Sequence, residues 1–225
     1  MKKLALACIG ALITMSAFSM PALAGEEVVK RVPAGAVAFH FVFDLSFVTG
    51  EFVGYVAFIE GVDAPLFNGT PSEDTAYFTV RITEPVPAQI PLPVPDGQLV
   101  TSLLVPGAQA TFYFNPSPDG RDWSNPDTFS EGVPIAVIDE SALLSTRAEG
   151  SFPGVFFNTF SGRLIDSTPI NFNGQRIDFK KLVPNGITVT NFGNALRFHP
   201  DGSPGVSGGG TAIAVGGKLR DKSDD

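Results

Sequence analysis

Between Ala36 and Val48 the chain reads AVAFHFVFDLSFV. Odd positions carry Val37, Phe39, Phe41, Phe43, Leu45 and Phe47, and even positions carry Ala36, Ala38, His40, Val42, Asp44 and Ser46. Successive side chains of a strand point to opposite faces, so this period-2 alternation specifies a long strand with one apolar face. A helix would scatter the same phenylalanines around its circumference. Thr49-Gly50 then reverses the chain, and EFVGYVAFIEG returns as the second arm of a hairpin.

The rest of the chain repeats this grammar in shorter units. AYFTVRIT, QLVTSLLV, ATFYF, VPIAVID, GVFFNTF, INFNGQRIDF, ITVTNF and TAIAV are strand-like runs separated by turn residues. Asn173-Gly174 between two such runs is the signature of a type I′ hairpin. Pro-Asp-Gly recurs at 95–97, 118–120 and 200–202 as a turn unit, because Pro presets φ, Asp bonds its own backbone and Gly accepts φ > 0. ESALLSTRA, Glu140–Ala148, reads as the one short helix. The five prolines between Glu84 and Gly97 forbid a central strand and favour extended chain at an edge. With 24 Gly and 19 Pro as punctuation and 20 Phe in the segments, the expected fold is all-β, a single-domain antiparallel β-sandwich or closed β-barrel with Pro/Gly-rich loops. The strand pattern leaves both architectures open.

The first 24 residues, MKKLALACIGALITMSAFSMPALA, have the basic start, apolar run and small-residue end of a secretory signal, with a cut before Gly25. The domain plan is therefore a signal peptide over 1–24, one all-β domain over 25–219 and a frayed acidic tail over 220–225. The expected location is secreted or periplasmic in a bacterium. Pro21 interrupts an apolar run already too short to span a bilayer, so no transmembrane segment is expected after signal removal. The single cysteine, Cys8, lies in the signal. Without it the chain has no disulfide, thiol catalysis or cysteine-ligated metal. The formal net charge is −8, which repels phosphate backbones and sets nucleic acid aside as a partner.

Catalytic patterns do not assemble. Gly205-Val206-Ser207-Gly208-Gly209 matches the spacing G-x-S-x-G, but that motif needs a strand before it, a helix after it, and Asp then His downstream. No histidine follows His199, and Val206 stands where a chymotrypsin-like G-D-S-G-G has Asp. Ser207 is therefore expected in a flexible glycine loop. His40 and Asp44 share a strand face but stand about 13 Å apart at about 3.4 Å per residue, so they cannot pair. Glu51, Glu60, Asp63, Glu73 and Asp74 fall near strand ends or in loops, where a spatial pair of carboxylates would permit glycan hydrolysis.

FYFNPSPDGRDWSNPDTF holds the only tryptophan, Trp123. Asp119, Asp122, Asn125 and Asp127 surround it as candidate ligand-binding residues, and Asn115, Asp119, Asp122 and Asp127 as candidate calcium ligands, although Asx turns account for the same residues. Trp123 has two open roles, a cap on a sheet end or a contact platform. Phe156 and Phe157 must point to opposite faces of their strand, so either both are covered by neighbouring elements, as in a sandwich, or, in a sheet with one buried face, one is exposed or lines a cavity. A barrel lined by Phe would then hold an apolar ligand. The functional expectation is a non-catalytic binding or surface-interaction module for an unknown small molecule, glycan or protein, with no cofactor. The alternatives are a small secreted enzyme, either carboxylate-based and glycan-active or a small-molecule barrel enzyme, and a structural surface or matrix component.

Overall fold

The computed structural model describes residues 27–46, 48–83, 87–89, 99–104, 108–148 and 156–216. The expected signal over 1–24, the tail over 220–225 and the Pro-Asp-Gly unit at 95–97 lie outside these residues. In chain order the strands are β1 (Glu27–Val28), β2 (Val37–Ser46), β3 (Phe52–Ile59), β4 (Phe78–Thr83), β5 (Pro87–Gln89), β6 (Leu99–Leu104), β7 (Gln109–Phe114), β8 (Val133–Ala148), β9 (Phe156–Ser167), β10 (Ile170–Phe172), β11 (Gln175–Ile177), β12 (Ile187–Phe198) and β13 (Pro204–Ala214). A single helical turn, α1 (Phe179–Leu182), follows β11.

The architecture is a closed antiparallel barrel of eight strands with a small second sheet. Around the ring the order is β8, β7, β4, β3, β2, β13, β12 and β9, and β9 pairs back onto β8. Sequence neighbours are spatial neighbours throughout, interrupted by two insertions. The β5–β6 pair sits between β4 and β7 and pairs with the far half of β8, and β10, β11 and α1 sit between β9 and β12. The proline-rich stretch contributes β5, the outermost strand of its sheet, in keeping with the missing proline N–H.

One expectation is corrected here. Glu140–Ala148 is strand, the far half of β8, and not a helix. It pairs with β6 on one side and β9 on the other. Ladders run along both edges over Leu143–Arg147, and that outweighs a weak local helix propensity.

The odd residues of β2 face inward as the alternation requires. Phe39, Phe41 and Phe43 are buried, and Phe43 stacks on Phe52 at 4.8 Å while Phe39 meets Phe112 edge-on at 5.2 Å. One end of the barrel is plugged by the small sheet and α1. Phe179 packs on Phe112 at 5.3 Å, and Phe172 packs on Phe78 and Phe114 at 5.1 and 5.8 Å. Asn173 (φ 49°) and Gly174 (φ 83°) make the left-handed pair between β10 and β11 that a type I′ turn needs.

Among the described residues the inner void bounded by Phe39, Phe41, Phe112 and Phe160 is only about 10 Å³. That is near the lower limit for one water, and the lining is apolar. The interior is a packed core there and offers no room for the apolar ligand that a Phe-lined barrel suggested. The outer wall carries His40, Thr159, Ser161, Arg163, Thr188, Thr190 and Thr211. No helix among the described residues is long and apolar enough to cross a membrane. Phe157 is 43% exposed on this outer wall opposite Phe192 at 46%, whereas Phe160 is buried. Phe152 and the Phe156 side chain lie outside the described residues.

Gly210 follows from the same packing. A Cβ at Gly210 would collide with the Phe41 ring, so the neighbour of the Phe-bearing strand must lack a side chain at that point. Gly210→Ala should cost about 1–3 kcal/mol, the usual range for overpacking. A melting-temperature loss below about 2 °C would contradict this.

Three polar side chains are buried in the barrel wall with unpaired atoms: Glu140, and Asn158 and Asn191, which face each other across β9 and β12. Burial, with a smaller contribution from Asp139, pushes the Glu140 carboxyl up to about 7 from 4.5. The folded protein therefore binds a proton that the unfolded chain releases between pH 4.5 and 7. Stability from this group is full below about 4.5, falls as pH rises to about 7 and is then constant, a loss on the order of 3 kcal/mol. Glu140→Gln should remove that loss. Its melting temperature relative to the native chain should rise from pH 4.5 to pH 8 by several degrees, and a pH-independent difference would refute the assignment.

Candidate functional site

The candidate site lies outside the barrel, where the β7–β8 loop over 115–132 folds back onto the outer wall of β3 and β4. Three contacts fix this loop. Buried Arg121 donates through Nη1 to the carbonyls of Ala76 and Glu73, and its backbone N–H donates to Asp74 Oδ1 at 2.8 Å. Thr79, buried on the outer face of β4, donates its hydroxyl to the Phe129 carbonyl at 2.7 Å. Arg81 reaches Asp127 at 2.8 Å and Ser130 at 3.1 Å, and also grips Glu51 at 2.6 Å. A 3-10 turn over Pro126–Ser130 drives Phe129 fully under the loop. Trp123 rests on Phe129 at 4.7 Å and on Tyr55 at 6.0 Å.

This position settles the geometry of Trp123. The ring packs across the outer wall and not over a sheet end, and its remaining surface lines a cleft of about 280 Å³. The β2–β3 turn contributes Ser46, Thr49 and Glu51 to the cleft, and the β12–β13 turn contributes His199, Pro200, Asp201 and Ser203. The second turn is one of the Pro-Asp-Gly units. Asp201 Oδ1 accepts from the Ser203 N–H at 2.9 Å, and Gly202 N–H donates to the His199 carbonyl at 2.8 Å. The Ser203 hydroxyl and N–H hold the Asp201 carboxyl below its ordinary value, and Ser124 does the same for Asp122.

At the cleft floor is Asp44, 2% exposed although it sits on the outer face of β2. Ser207 Oγ donates to its Oδ2 at 2.8 Å, Arg197 Nη1 reaches the same oxygen at 3.2 Å, and His199 Nε2 stands 3.4 Å from Oδ1. This last approach is not a hydrogen bond, because His199 Nε2 has no hydrogen-bond partner. The His199 ring lies where a Cβ on Gly205 would be, so that glycine is what lets the imidazole reach the carboxylate. The Arg197 guanidinium also stands 5.8 Å from the Trp123 ring centroid, so one cation joins the buried carboxylate to the tryptophan.

The chemistry of this constellation is electrostatic. A serine nucleophile needs a base at its hydroxyl and a third group that orients the base. Here the carboxylate stands between serine and histidine, and Ser207 donates into it. Ser207 is therefore a strut. The expected flexible glycine loop is also corrected: Gly205–Gly209 is mid-barrel strand, paired residue by residue with β2. His40 is exposed and bonds Thr211 at 2.9 Å on the other part of this wall.

Of the residues singled out from sequence, Trp123, the carboxylate candidate Glu51 and the strand residue Asp44 line the cleft. Asp122 is spent on the N–H and hydroxyl of Ser124, and Asp127 on Arg81. The Asn115 side chain accepts from the Ser117 N–H, the Asn125 backbone carbonyl accepts from Thr128, and Asp119 is exposed away from the cleft. Turn hydrogen bonds thus account for Asn115 and Asp122 among the residues offered as calcium ligands, and an ion pair for Asp127. Among the described residues no three His, Asp or Glu side chains converge as metal ligands would. In the sequence, Asp44 stands out only as a strand-face neighbour of His40 and Asp201 only as part of a turn, while His199 carries no role and Arg197 is passed over. The available signal was a charged residue inside a strongly apolar strand, Asp44. Its partners lie more than 150 positions away in sequence. No family model, curated protein or solved structure matches the chain.

Asp44 is the testable keystone. Asp44→Ala would strip Ser207 of its acceptor and Arg197 of its anchor, a loss of about 2 kcal/mol since Arg197 and Ser207 can partly rehydrate. The released guanidinium should also change Trp123 fluorescence in the folded state. Unchanged emission together with unchanged stability would show that Asp44 does not organise the site.

Proposed function

We propose that this chain is a non-catalytic binding module of an exported, secreted or periplasmic protein, and that the Trp123 cleft is where it takes its ligand. The observation that carries the reading is the partly exposed indole, held rigidly by Phe129 and Tyr55, facing two turns rich in hydroxyls and carboxylates. Ligand sites combine an apolar surface with a few fixed polar groups, and aromatic anchors with low conformational entropy dominate binding energetics. The Arg121 and Arg81 anchors support the same reading, since a loop that is fixed before binding loses little entropy on binding. The packed interior directs attention to the outer wall. The position of Asp44 between Ser207 and His199 favours recognition over nucleophilic catalysis.

Trp123 is the only tryptophan, so emission reports on the cleft directly. Titration of the full chain against simple saccharides, amines and amino acids, lipid vesicles and calcium should give a saturable change with at least one of them. Trp123→Ala, checked for folding by circular dichroism, should weaken that ligand at least roughly tenfold by calorimetry, as loss of an aromatic anchor does. No emission change and no thermal stabilisation across the panel would overturn the reading.

A further inference from the structure

We infer that the Trp123 cleft selects an uncharged sugar ring and rejects the matching uronate. The inference rests on the reading of the cleft as a binding site and adds the class of ligand. A pyranose has an apolar face of C–H groups and an edge of hydroxyls that both donate and accept. The cleft offers both surfaces: Trp123, Pro126 and Pro200 are apolar, and the hydroxyls of Ser46, Thr49 and Ser203 alternate with the carboxylates of Glu51 and Asp201. A carboxylate has about four acceptor sites. Arg81 and Ser203 occupy only part of this capacity on Glu51 and Asp201, so each can take a sugar hydroxyl. A cleft of about 280 Å³ is at the small end of ligand sites and suits a single ring or chain end.

Charge supplies the selectivity. None of the described residues lining the cleft is Lys or Arg. Arg81 and Arg197 stand behind the lining carboxylates and are paired with Glu51 and Asp44. Asp201 has no Lys or Arg within salt-bridge distance among the described residues, although His199 lines the cleft beside it, and its Ser203 hydrogen bonds hold its carboxyl below the ordinary range. An anionic ligand would meet that charge with no Lys or Arg of the lining to pair with. A ligand rejected by unpaired like charge is discriminated more sharply than one that merely fits less well.

The experiment uses methyl glucoside and methyl glucuronide, which differ only in CH₂OH against carboxylate, titrated into the full chain at pH 7 and low salt with Trp123 emission as the readout. The glucoside should bind at least roughly fivefold tighter, the scale of one like charge a few ångströms away across a partly solvated cleft. Asp201→Asn keeps the acceptor for the Ser203 N–H and removes the charge, so it should narrow the glucoside-to-glucuronide ratio by a similar factor. Sedimentation with an insoluble glucan distinguishes a polymer end from a free sugar as the source of the ring. Equal or tighter glucuronide binding would sink the sugar-charge inference and leave the cleft as a binding site. The same holds if amines or amino acids titrate Trp123 while no glycoside or glucan does. If nothing titrates it, both readings fall together.

Discussion

The phenylalanines on one face of β2 govern the rest of the molecule. Three consecutive inward rings, Phe39, Phe41 and Phe43, occupy space that a ligand-carrying barrel leaves open, and Phe52, Phe112 and Phe160 meet them from neighbouring strands. Once that volume is filled, the neighbouring strand β13 cannot carry a side chain at Gly210, opposite Phe41. The plug under the barrel follows from the same demand. Phe112 would present its edge to solvent without Phe179, and Phe78 without Phe172. A core of this kind stabilises through area and close packing, which suits a chain with no cysteine pair to staple it.

Among the described residues the Phe-lined interior leaves no room for a ligand, and the outer wall stays convex until something makes a concave surface on it. The β7–β8 loop does this. It is held at three points by Arg121, Thr79 and Arg81, so the walls of the cleft are fixed by hydrogen bonds to the barrel itself. Asp44 illustrates the consequence. On an open wall it would be a hydrated carboxylate. Where it stands, it is desolvated and must be paired, and Arg197, Ser207 and His199 supply the partners. The barrel's closure makes those partners available, because it sets β13 directly beside β2.

The sequence carried the local rules well. Alternation along β2 predicted which residues turn inward, Asn173-Gly174 predicted its turn, and the proline-rich stretch went to an edge. The errors share a cause. Glu140–Ala148 read as a helix because nothing local shows that both of its edges will be paired. Gly205–Gly209 read as a loop because a glycine run is flexible in isolation, whereas here Gly205 makes room for His199 and Gly208 for the backbone of β12. The candidate site was half legible. Trp123 drew notice as a lone indole in a polar loop. The nearby carboxylates did too, but they proved to be occupied by Ser124 and Arg81. The buried carboxylate, Asp44, is assembled with residues that meet it only after the ring closes, and a pairing across most of the chain leaves no local pattern.

Arg197 draws the two halves of the site into one unit. Its guanidinium touches Asp44 through a charge pair and approaches the Trp123 ring through its cation–π contact. Each interaction alone is modest at a partly solvated position. Together they constrain the same side chain from two elements, the barrel wall and the folded-back loop. A contact that shifts the indole must therefore shift the cation, and the cation bears on a carboxylate that also holds Ser207 and His199. The tryptophan surface and the β12–β13 turn are in this way mechanically joined although they belong to separate loops. That joining makes one cleft out of a loop and two hairpin turns, with its rigidity borrowed from the barrel's Phe-packed wall.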